Sequence, residues 1–448
     1  MKFRLTVYLC AVAALFSSCS SSRKGSSLAN SANIVNDVQE FDVEGVHVLL
    51  RQSVSVPVVT AVLFVKGGST VSSDDEPVAT EYFAMKVIPA SGSQRIGKPY
   101  FRRKLIRMGS SISGDEGRDY SAISMECTRE NFDTTWAYFT NCMTQPTIDK
   151  VEYDNFKKSV LLGINSRANE ADGYSNYLLD SSYFYGHPYG KNFSDADVKR
   201  VTADIAMKHF RTVMVRSRFL LSVVGNVSRD ELTDKIEASL GKLPEGSYTP
   251  AAIKPPEKAF KPSAFFPPFG RKLPTDYLIG YYLTPSKGDP DYYAYLRLRN
   301  FFGGFVFNHI RVQRNLAYAP NVDDKDGITS VGVISLQTAY IDSAVKVIYD
   351  DVDFFQQNSI RESAIRSGVA GWATRNYLKA ETTSSQAALL GQAKLATGDW
   401  HDAFFSYEKL SRVTPEELKN AAIKYLRNFN WLVLGDTTHV SRKLLESR

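Results

Sequence analysis

A proline-rich segment divides the chain into two halves that end alike. Eight of the 18 prolines lie within residues 244–274, a density that excludes helix and the interior of a sheet. In the first half, Thr202 begins a helical pattern that leads to a buried strand ending at Gly225. In the second half, Thr414 and Gly435 follow the same pattern, 212 and 210 residues further on. The sequence therefore predicts an internal duplication around an extended connector.

Strand and helix patterns mix within each half. In the first half, residues 58–65 and 118–127 have strand patterns, and residues 77–88 and 132–142 have helix patterns. Strands combined with helical hairpins on one face of a sheet indicate the α+β class. We predict two similar α/β-sandwich halves in the following order: a signal peptide (1–19), a polar tether (20–36), an N-terminal domain (37–243), the proline-rich connector (244–274) and a C-terminal domain (275–448).

The first 19 residues are typical of an export signal. Lys2 and Arg4 precede a largely apolar run over residues 5–16, which is too short to span a bilayer. The run ends in the sequence LFSSC, which resembles a bacterial lipobox, so Cys19 is predicted to be lipidated. The alternative is ordinary signal cleavage nearby. This prediction places the protein in the bacterial cell envelope, anchored to a membrane, and favours the periplasmic side of the outer membrane.

Composition limits the remaining possibilities. The chain of 448 residues is 43% hydrophobic and 23% charged, which excludes a disordered, collagen-like or coiled-coil protein. Its net charge of +6 is spread along the chain and does not indicate a nucleic-acid partner. Export would permit a disulfide between Cys127 and Cys142. Two buried free thiols are favoured, because nothing in the sequence places the two cysteines together.

Familiar catalytic motifs are missing from the chain. No two of the six histidines lie three or four residues apart, so no helix carries a histidine pair for zinc. The sequence also contains neither a Cys-x-x-Cys pair nor a Gly-x-Ser-x-Gly elbow.

Six short segments nevertheless give the chain a recognisable pattern. Their order and spacing over residues 38–440 resemble the pitrilysin/insulinase-like zinc metallopeptidases, in the small two-domain form that includes processing-peptidase subunits. The segments are FVKGGS (64–69), HPYG (187–190), VVGNV (223–227), GDPDY (288–292), FGG (302–304) and LAY (316–318). His187 stands in one of these segments and is expected to form a structural turn rather than to bind metal.

The resemblance implies where a zinc site would lie and that it is degenerate here. Active members carry His-x-x-Glu-His on a helix, where two histidines bind zinc and the glutamate takes a proton from the bound water. The corresponding positions are Thr80, Phe83 and Ala84. The family's third ligand, a glutamate, would fall near residues 160–163, where no acidic residue occurs. We therefore expect no catalytic residue, metal ligand or cofactor in this chain.

Part of the substrate-binding apparatus is expected to remain. Many family members use an arginine and a tyrosine seven residues apart to reach the substrate near the metal. Arg311 and Tyr318 occupy those positions, and a guanidinium and a phenol can donate hydrogen bonds to a peptide carbonyl. The alternative is structural, with Tyr318 capping a core and Arg311 in a surface ion pair.

Three functions are consistent with these observations. The first is a non-catalytic subunit that contacts peptide substrate and pairs with a zinc-bearing paralogous peptidase. The second is a stand-alone peptide-binding or scaffold lipoprotein. The third, an active metalloendopeptidase, is disfavoured because every metal ligand and the general base are missing.

Overall fold

Each half of the chain builds one large mixed sheet. The computed structural model describes residues 37–71, 75–167 and 169–448, so the predicted signal peptide, Cys19 and the tether lie outside the described residues. The strands are β1 (Val38–Val43), β2 (Val46–Gln52), β3 (Val58–Lys66), β4 (Gly92–Ser93), β5 (Ile96–Gly97), β6 (Ser111–Asp115), β7 (Tyr120–Thr128), β8 (Phe219–Gly225), β9 (Ser263–Phe265), β10 (Asp276–Thr284), β11 (Asn321–Lys325), β12 (Ser330–Thr338) and β13 (Asn430–Leu434).

Helices lie between the strands and cover both sheets. They are α1 (Thr80–Val87), α2 (Lys98–Arg107), α3 (Phe132–Thr144), α4 (Lys150–Arg167), α5 (Ala171–Tyr183), α6 (Asp195–Arg200), α7 (Ala203–Val213), α8 (Arg229–Ala238), α9 (Tyr292–Val306), α10 (Ile341–Gln357), α11 (Glu362–Arg366), α12 (Val369–Lys379), α13 (Thr383–Thr397), α14 (Asp402–Ser411), α15 (Pro415–Tyr425) and α16 (Arg442–Leu445). Among these helices, none is both long and apolar enough to cross a membrane.

The two sheets share one topology. Within the described residues, the first has the order β6-β7-β3-β8-β2-β1 and the second has the order β11-β12-β10-β13-β9. In the first sheet β3 is antiparallel to both β7 and β8, and β8 is parallel to β2. In the second sheet β10 is antiparallel to both β12 and β13, and β13 is parallel to β9. Strand β1 has no counterpart in the second sheet.

Equivalent positions of the two halves also have the same local conformation. Thr202 and Thr414 are both helix N-caps, and Thr414 forms a reciprocal capping box with Glu417. Gly225 and Gly435 adopt φ values of 147° and 144°, a conformation that favours glycine. The internal duplication stays a prediction, which this matched topology and these matched turns support.

The α+β class is confirmed, and the predicted elements of the first half are present. Strands β3 and β7 and helix α3 begin or end within two residues of the predicted limits. Helix α1 begins three residues later than predicted, because Ala79 has non-helical backbone angles. The Thr80 hydroxyl there donates a hydrogen bond back to the Pro77 carbonyl (2.6 Å), which stabilises the turn before the helix.

Both faces of the first sheet are buried, and a helix from the second half covers one of them. In β3, alternate residues such as Leu63 pack against helices of their own half, whereas Thr60 and Phe64 point to the opposite face. Helix α13 lies on that opposite face against β3 and β8. The hydroxyls of Thr60 and Thr383 are 2.9 Å apart, and Gly391 packs against the Phe64 ring.

The second sheet is covered in the reciprocal way. Helix α5, from the first half, packs on β10 and β13. Leu179 and Tyr183 of this helix share an apolar cluster with Ile279 and Tyr281 of β10, and the Tyr183 and Tyr281 rings meet edge to face at 5.5 Å. Each half therefore contributes one helix to the other half's sheet, and residues Asp37–Arg448 form one compact unit.

The connector is more regular than the sequence predicted. Residues 244–274 contain a 3-10 helix (Glu257–Phe260) and strand β9, which pairs with β13 in parallel. An edge strand needs backbone hydrogen bonds on one side, so neighbouring prolines are tolerated. The connector departs from the expected extended conformation at residues 257–260, and the domain limits 37–243 and 275–448 stay a prediction. Because α5 packs on the second sheet, the two halves share a core.

Cys127 and Cys142 are buried free thiols, which confirms the favoured expectation. Burial raises the pKa of the Cys127 thiol to about 11 and that of the Cys142 thiol to about 12. Both groups therefore stay protonated and unreactive at neutral pH.

The contact between α13 and the first sheet predicts a difference between two glycine-to-alanine substitutions. A Cβ at Gly391 would lie 2.1 Å from the buried Phe64 ring, whereas one at the exposed, helical Gly371 meets ordinary contacts. We expect Gly391→Ala to lower the free energy of unfolding by about 1–3 kcal/mol through overpacking. The matched Gly371→Ala should raise it by up to about 1 kcal/mol through helix propensity. Urea unfolding of both variants tests this, and equal shifts would contradict the close packing of α13.

Candidate functional site

The three positions that correspond to the zinc motif lie buried on α1. Thr80, Phe83 and Ala84 have no exposed surface. The Thr80 hydroxyl is already engaged with the Pro77 carbonyl, and the other two side chains carry no atom that can bind a metal. The chemistry of these side chains does not fit zinc.

Aromatic rings fill the space between α1 and α4. The ring of Phe83 lies 5.2 Å from that of Phe156 and 5.6 Å from that of Tyr153, both on α4. Tyr82 extends the cluster to Phe156 (5.5 Å) and to Phe193 (5.3 Å). The segment of α4 over residues 160–163, where the family's third ligand would stand, is apolar or glycine. Packed rings therefore occupy the region in which α1 and α4 would jointly bind a metal.

A buried charged cluster lies on another side of α1. The His209 ring, on α7, is 4% exposed and bonds Glu76 through Nδ1 at 2.7 Å and Glu81 through Nε2. The Ser121 hydroxyl also donates to Glu81. Burial lowers the pKa of His209, but the hydrogen bonds and charges of Glu81 and Glu76 outweigh this effect, so the pKa is raised. The protonated ring can donate to both carboxylates and fixes the position of α1.

Sequence reasoning missed this cluster. Glu81 stands in an apolar stretch of α1, where a buried carboxylate requires a partner. The partner, His209, is 128 residues away, and no local pattern connects the two. Across residues 37–71, 75–167 and 169–448, no three His, Cys, Asp or Glu side chains are grouped so that they could hold a metal ion.

The structure brings Arg311 and Tyr318 together. Arg311 lies on a π-helix (Phe307–Gln313), and its guanidinium carbon is 4.1 Å from the centre of the Tyr318 ring and 5.3 Å from that of Phe307. Guanidinium groups stack favourably on aromatic faces. Both side chains line an open groove of about 470 Å³ together with Leu316 and Thr338.

Local backbone geometry holds the pair in place. Asn315 has a φ of 50°, in the left-handed region that few side chains adopt, and reverses the chain after the π-helix. The Leu316 amide then donates to the Ile310 carbonyl (2.9 Å), and its own carbonyl accepts from the Thr338 hydroxyl (2.6 Å). These bonds anchor the segment that carries Tyr318 to the end of β12.

The structural alternative for Arg311 and Tyr318 does not describe this arrangement. Tyr318 is 79% exposed, so it does not cap a core. Within the described part of the chain, no carboxylate forms an ion pair with Arg311. The pair is therefore accessible, and its hydrogen-bond donors are available to a ligand.

The groove of Arg311 and Tyr318 lies at the opposite end of β12 from the contact that this strand's start makes with Asp119. The groove includes Thr338, at the end of β12, whereas the other end of that strand follows Ile328, whose amide donates to Asp119 of the first half (2.9 Å). A strand of this length spans about 25–30 Å. In the described chain, no hydrogen bond, ion pair or ring contact joins the pair to α1 or α4. Arg311 and Tyr318 are thus brought to each other and not to the degenerate metal position.

His187 forms the structural turn that the sequence indicated. Its Nδ1 accepts a hydrogen bond from the Tyr189 amide (3.0 Å), and its Nε2 donates to the Lys254 carbonyl (2.7 Å). Both ring nitrogens are therefore occupied.

Comparisons with known proteins agree with this geometry. Residues 200–369 match the sequence family described as the peptidase M16 inactive domain. Among curated protein sequences, none matches the chain. One similar solved structure is a peptidase M16 inactive domain from Pseudomonas fluorescens, with a TM-score of 0.78 and 18% identity over 90% of this chain and 99% of that one.

Two further structures have the same fold. A protease from Helicobacter pylori has a TM-score of 0.78 and 14% identity over 89% of this chain and 99% of that one. The periplasmic protease PqqL from Escherichia coli has a TM-score of 0.76 and 13% identity, and the match covers 89% of this chain but 46% of that longer one.

The buried His209 cluster predicts a pH-dependent stability. Because its pKa is higher in the folded than in the unfolded chain, its contribution is fully present below about pH 6.5 and is lost as the pH rises through the folded-state pKa. The stability difference between the wild type and His209→Gln should therefore be largest at mildly acid pH and shrink at alkaline pH. Melting temperatures measured across this range test the prediction. The exposed His439→Gln is the control, and a difference that grew with pH would contradict it.

Proposed function

We propose that the chain is a non-catalytic homologue of the M16 peptidases that lacks their zinc motif, and that it serves a zinc-bearing relative as a substrate-contacting subunit. The observation that carries the proposal is the accessible pair Arg311 and Tyr318 in a chain whose metal position is filled by the rings of Phe83 and Phe156.

The chemistry of the pair suits the active site of a peptidase. A guanidinium and a phenol can donate hydrogen bonds to a peptide carbonyl and stabilise the negative charge that develops on its oxygen when water attacks. Neither group supplies a nucleophile or a metal. The pair therefore contributes to catalysis when another chain provides the zinc and the general base.

The position of the pair favours action on a second chain. Tyr318 is exposed, and the bonds and ring contacts of Arg311 and Tyr318 in the described chain do not include α1 or α4. A partner can approach this groove without separating the two halves. A stand-alone peptide-binding or scaffold protein would use the same groove to hold a peptide without cutting it, and the kinetic experiment below distinguishes the two.

We also propose that the protein works in the bacterial cell envelope. The leader over residues 1–19 supports export, and one structure with the same fold is a periplasmic protease. Lipidation at Cys19 would anchor the chain to a membrane, and we favour the periplasmic side of the outer membrane.

One prediction of the proposed function concerns the rate of the partner enzyme. In a complex with a zinc-bearing relative, Arg311→Ala or Tyr318→Phe should lower kcat/KM for a peptide substrate by up to about 10²–10³-fold, the effect of one lost transition-state hydrogen bond. Folding and association should persist, since neither side chain is buried in a core. The measurement is kcat/KM of the reconstituted complex, together with a thermal melt and the zinc content of each chain.

Two neighbouring exposed residues provide matched controls. Arg314→Ala and Tyr340→Phe remove the same groups outside the lining of the groove and should leave the rate unchanged. If the complex forms and Arg311→Ala and Tyr318→Phe behave as these controls do, the catalytic role is rejected and a binding or scaffold role remains.

Another prediction of the proposed function concerns the membrane anchor. Cys19→Ser should move the protein from the membrane to the soluble envelope fraction, because the acylated thiol is absent. Cys10→Ser, which lies within the apolar leader, should leave the protein membrane-bound. Fractionation of cells that express each variant tests this, and membrane retention of Cys19→Ser would refute lipidation at that residue.

A further inference from the structure

A second cavity, of about 430 Å³, lies where the two halves meet. Its walls come from α1, α4, α5, the turn after His187 and the end of β11. It shares no lining residue with the groove of Arg311 and Tyr318. Its charged lining consists of four basic side chains (Arg118, Arg167, Lys191 and Lys325) and two acidic ones (Glu116 and Asp180).

The two acidic side chains of the lining are in different surroundings. Asp180 is 5% exposed and is bonded by Arg118 (2.5 Å) and Asn192 (3.1 Å), with the Lys325 ammonium at 3.5 Å. A single carboxylate thus serves two cations. Burial raises the pKa of Glu116, which disfavours its charged form.

Arg167 takes no part in the hydrogen bonds and ion pairs of Asp180. It ends α4, and its guanidinium carbon stacks 4.3 Å from the centre of the Tyr177 ring. No ion pair links it to a carboxylate in the part of the chain that the structure describes. The charged form of Lys325 is disfavoured. Burial and the nearby Arg118 charge lower its pKa, although Asp180 opposes this effect. A bound anion would stabilise the charged form of Lys325.

The rest of the lining is suited to a peptide. Tyr177 and Phe193 contribute aromatic side chains, and Asn176 and Asn192 contribute amide oxygens that can accept hydrogen bonds from a peptide backbone. The volume is within the range of sites that bind small organic ligands. Forked guanidinium groups pair with carboxylates through two parallel hydrogen bonds.

We propose that this cavity binds a carboxylate of a peptide, either its C-terminal carboxylate or an acidic side chain, with Arg167 as the principal anchor. The site goes beyond the function proposed above, because it requires neither Arg311 nor Tyr318 and needs no zinc-bearing partner. A peptide bound here would contact both halves, through Arg167 on one side and Lys325 on the other.

Three short peptides test the proposal with the purified mature chain. They are acetyl-trialanine with a free C-terminal carboxylate, the same peptide as its amide, and an amidated peptide of equal length with a central glutamate. Isothermal titration at low salt should show that at least one of the two carboxylate peptides binds about tenfold or more tightly than the neutral amide. The carboxylate peptide that binds identifies which source the cavity accepts.

Variants of Arg167 assign the binding to the cavity. Arg167→Gln should weaken binding of the carboxylate peptide about tenfold, whereas Arg167→Lys should retain much of it, because the charge persists. Arg102→Gln, on the exposed face of α2, is the matched control and should bind as the wild type does. Melting temperatures of all variants exclude unfolding.

Three results with the peptides would overturn the proposal. They are equal binding of the neutral and carboxylate peptides, no binding of any peptide at millimolar concentration, and unchanged affinity in Arg167→Gln. A preference for inorganic phosphate over both carboxylate peptides would also overturn it in favour of a phosphate site. None of these results bears on Arg311 and Tyr318, so the two proposals succeed or fail separately.

Discussion

The fold depends on the reciprocal covering of its two sheets. A strand buried on both faces needs an apolar layer on each side, and neither half of this chain provides both layers for its own sheet. Helix α13 of the second half supplies the missing layer for β3 and β8, and α5 of the first half supplies it for β10 and β13. The contacts of Gly391 with Phe64 and of Tyr183 with Tyr281 are therefore part of the core.

Features set by short-range interactions were predictable from the sequence. Thr414 caps a helix because its hydroxyl and Glu417 satisfy free amides in the same turn, and Gly435 ends a strand because its backbone angles favour glycine. The exchange of helices could not be predicted in this way, because α13 has no local signal that indicates which sheet it covers. Strand β9 was missed for a related reason, since its pairing with β13 is decided by a segment more than 160 residues away.

The candidate site divides in the same manner. Residue types alone predicted that Thr80, Phe83 and Ala84 do not bind zinc, and the resemblance to a family indicated Arg311 and Tyr318. The ring cluster at the position that the resemblance assigns to the metal could not be predicted in this way. It depends on how α1 and α4 pack, and Phe83 and Phe156 are distant in sequence. The rings of Phe83 and Phe156 form an apolar contact that stabilises the fold, while the exposed pair at the end of β12 has accessible donors.

The reciprocal covering also limits how the molecule can move. A hinge motion that separates the two halves would expose buried faces of both sheets to water. Its free-energy cost would rise with the apolar area that is uncovered. We therefore expect conformational fluctuations to be confined to loops and to the edges of the grooves. A large ligand could not enter by separating the two halves of this chain and would have to bind at its outer surface.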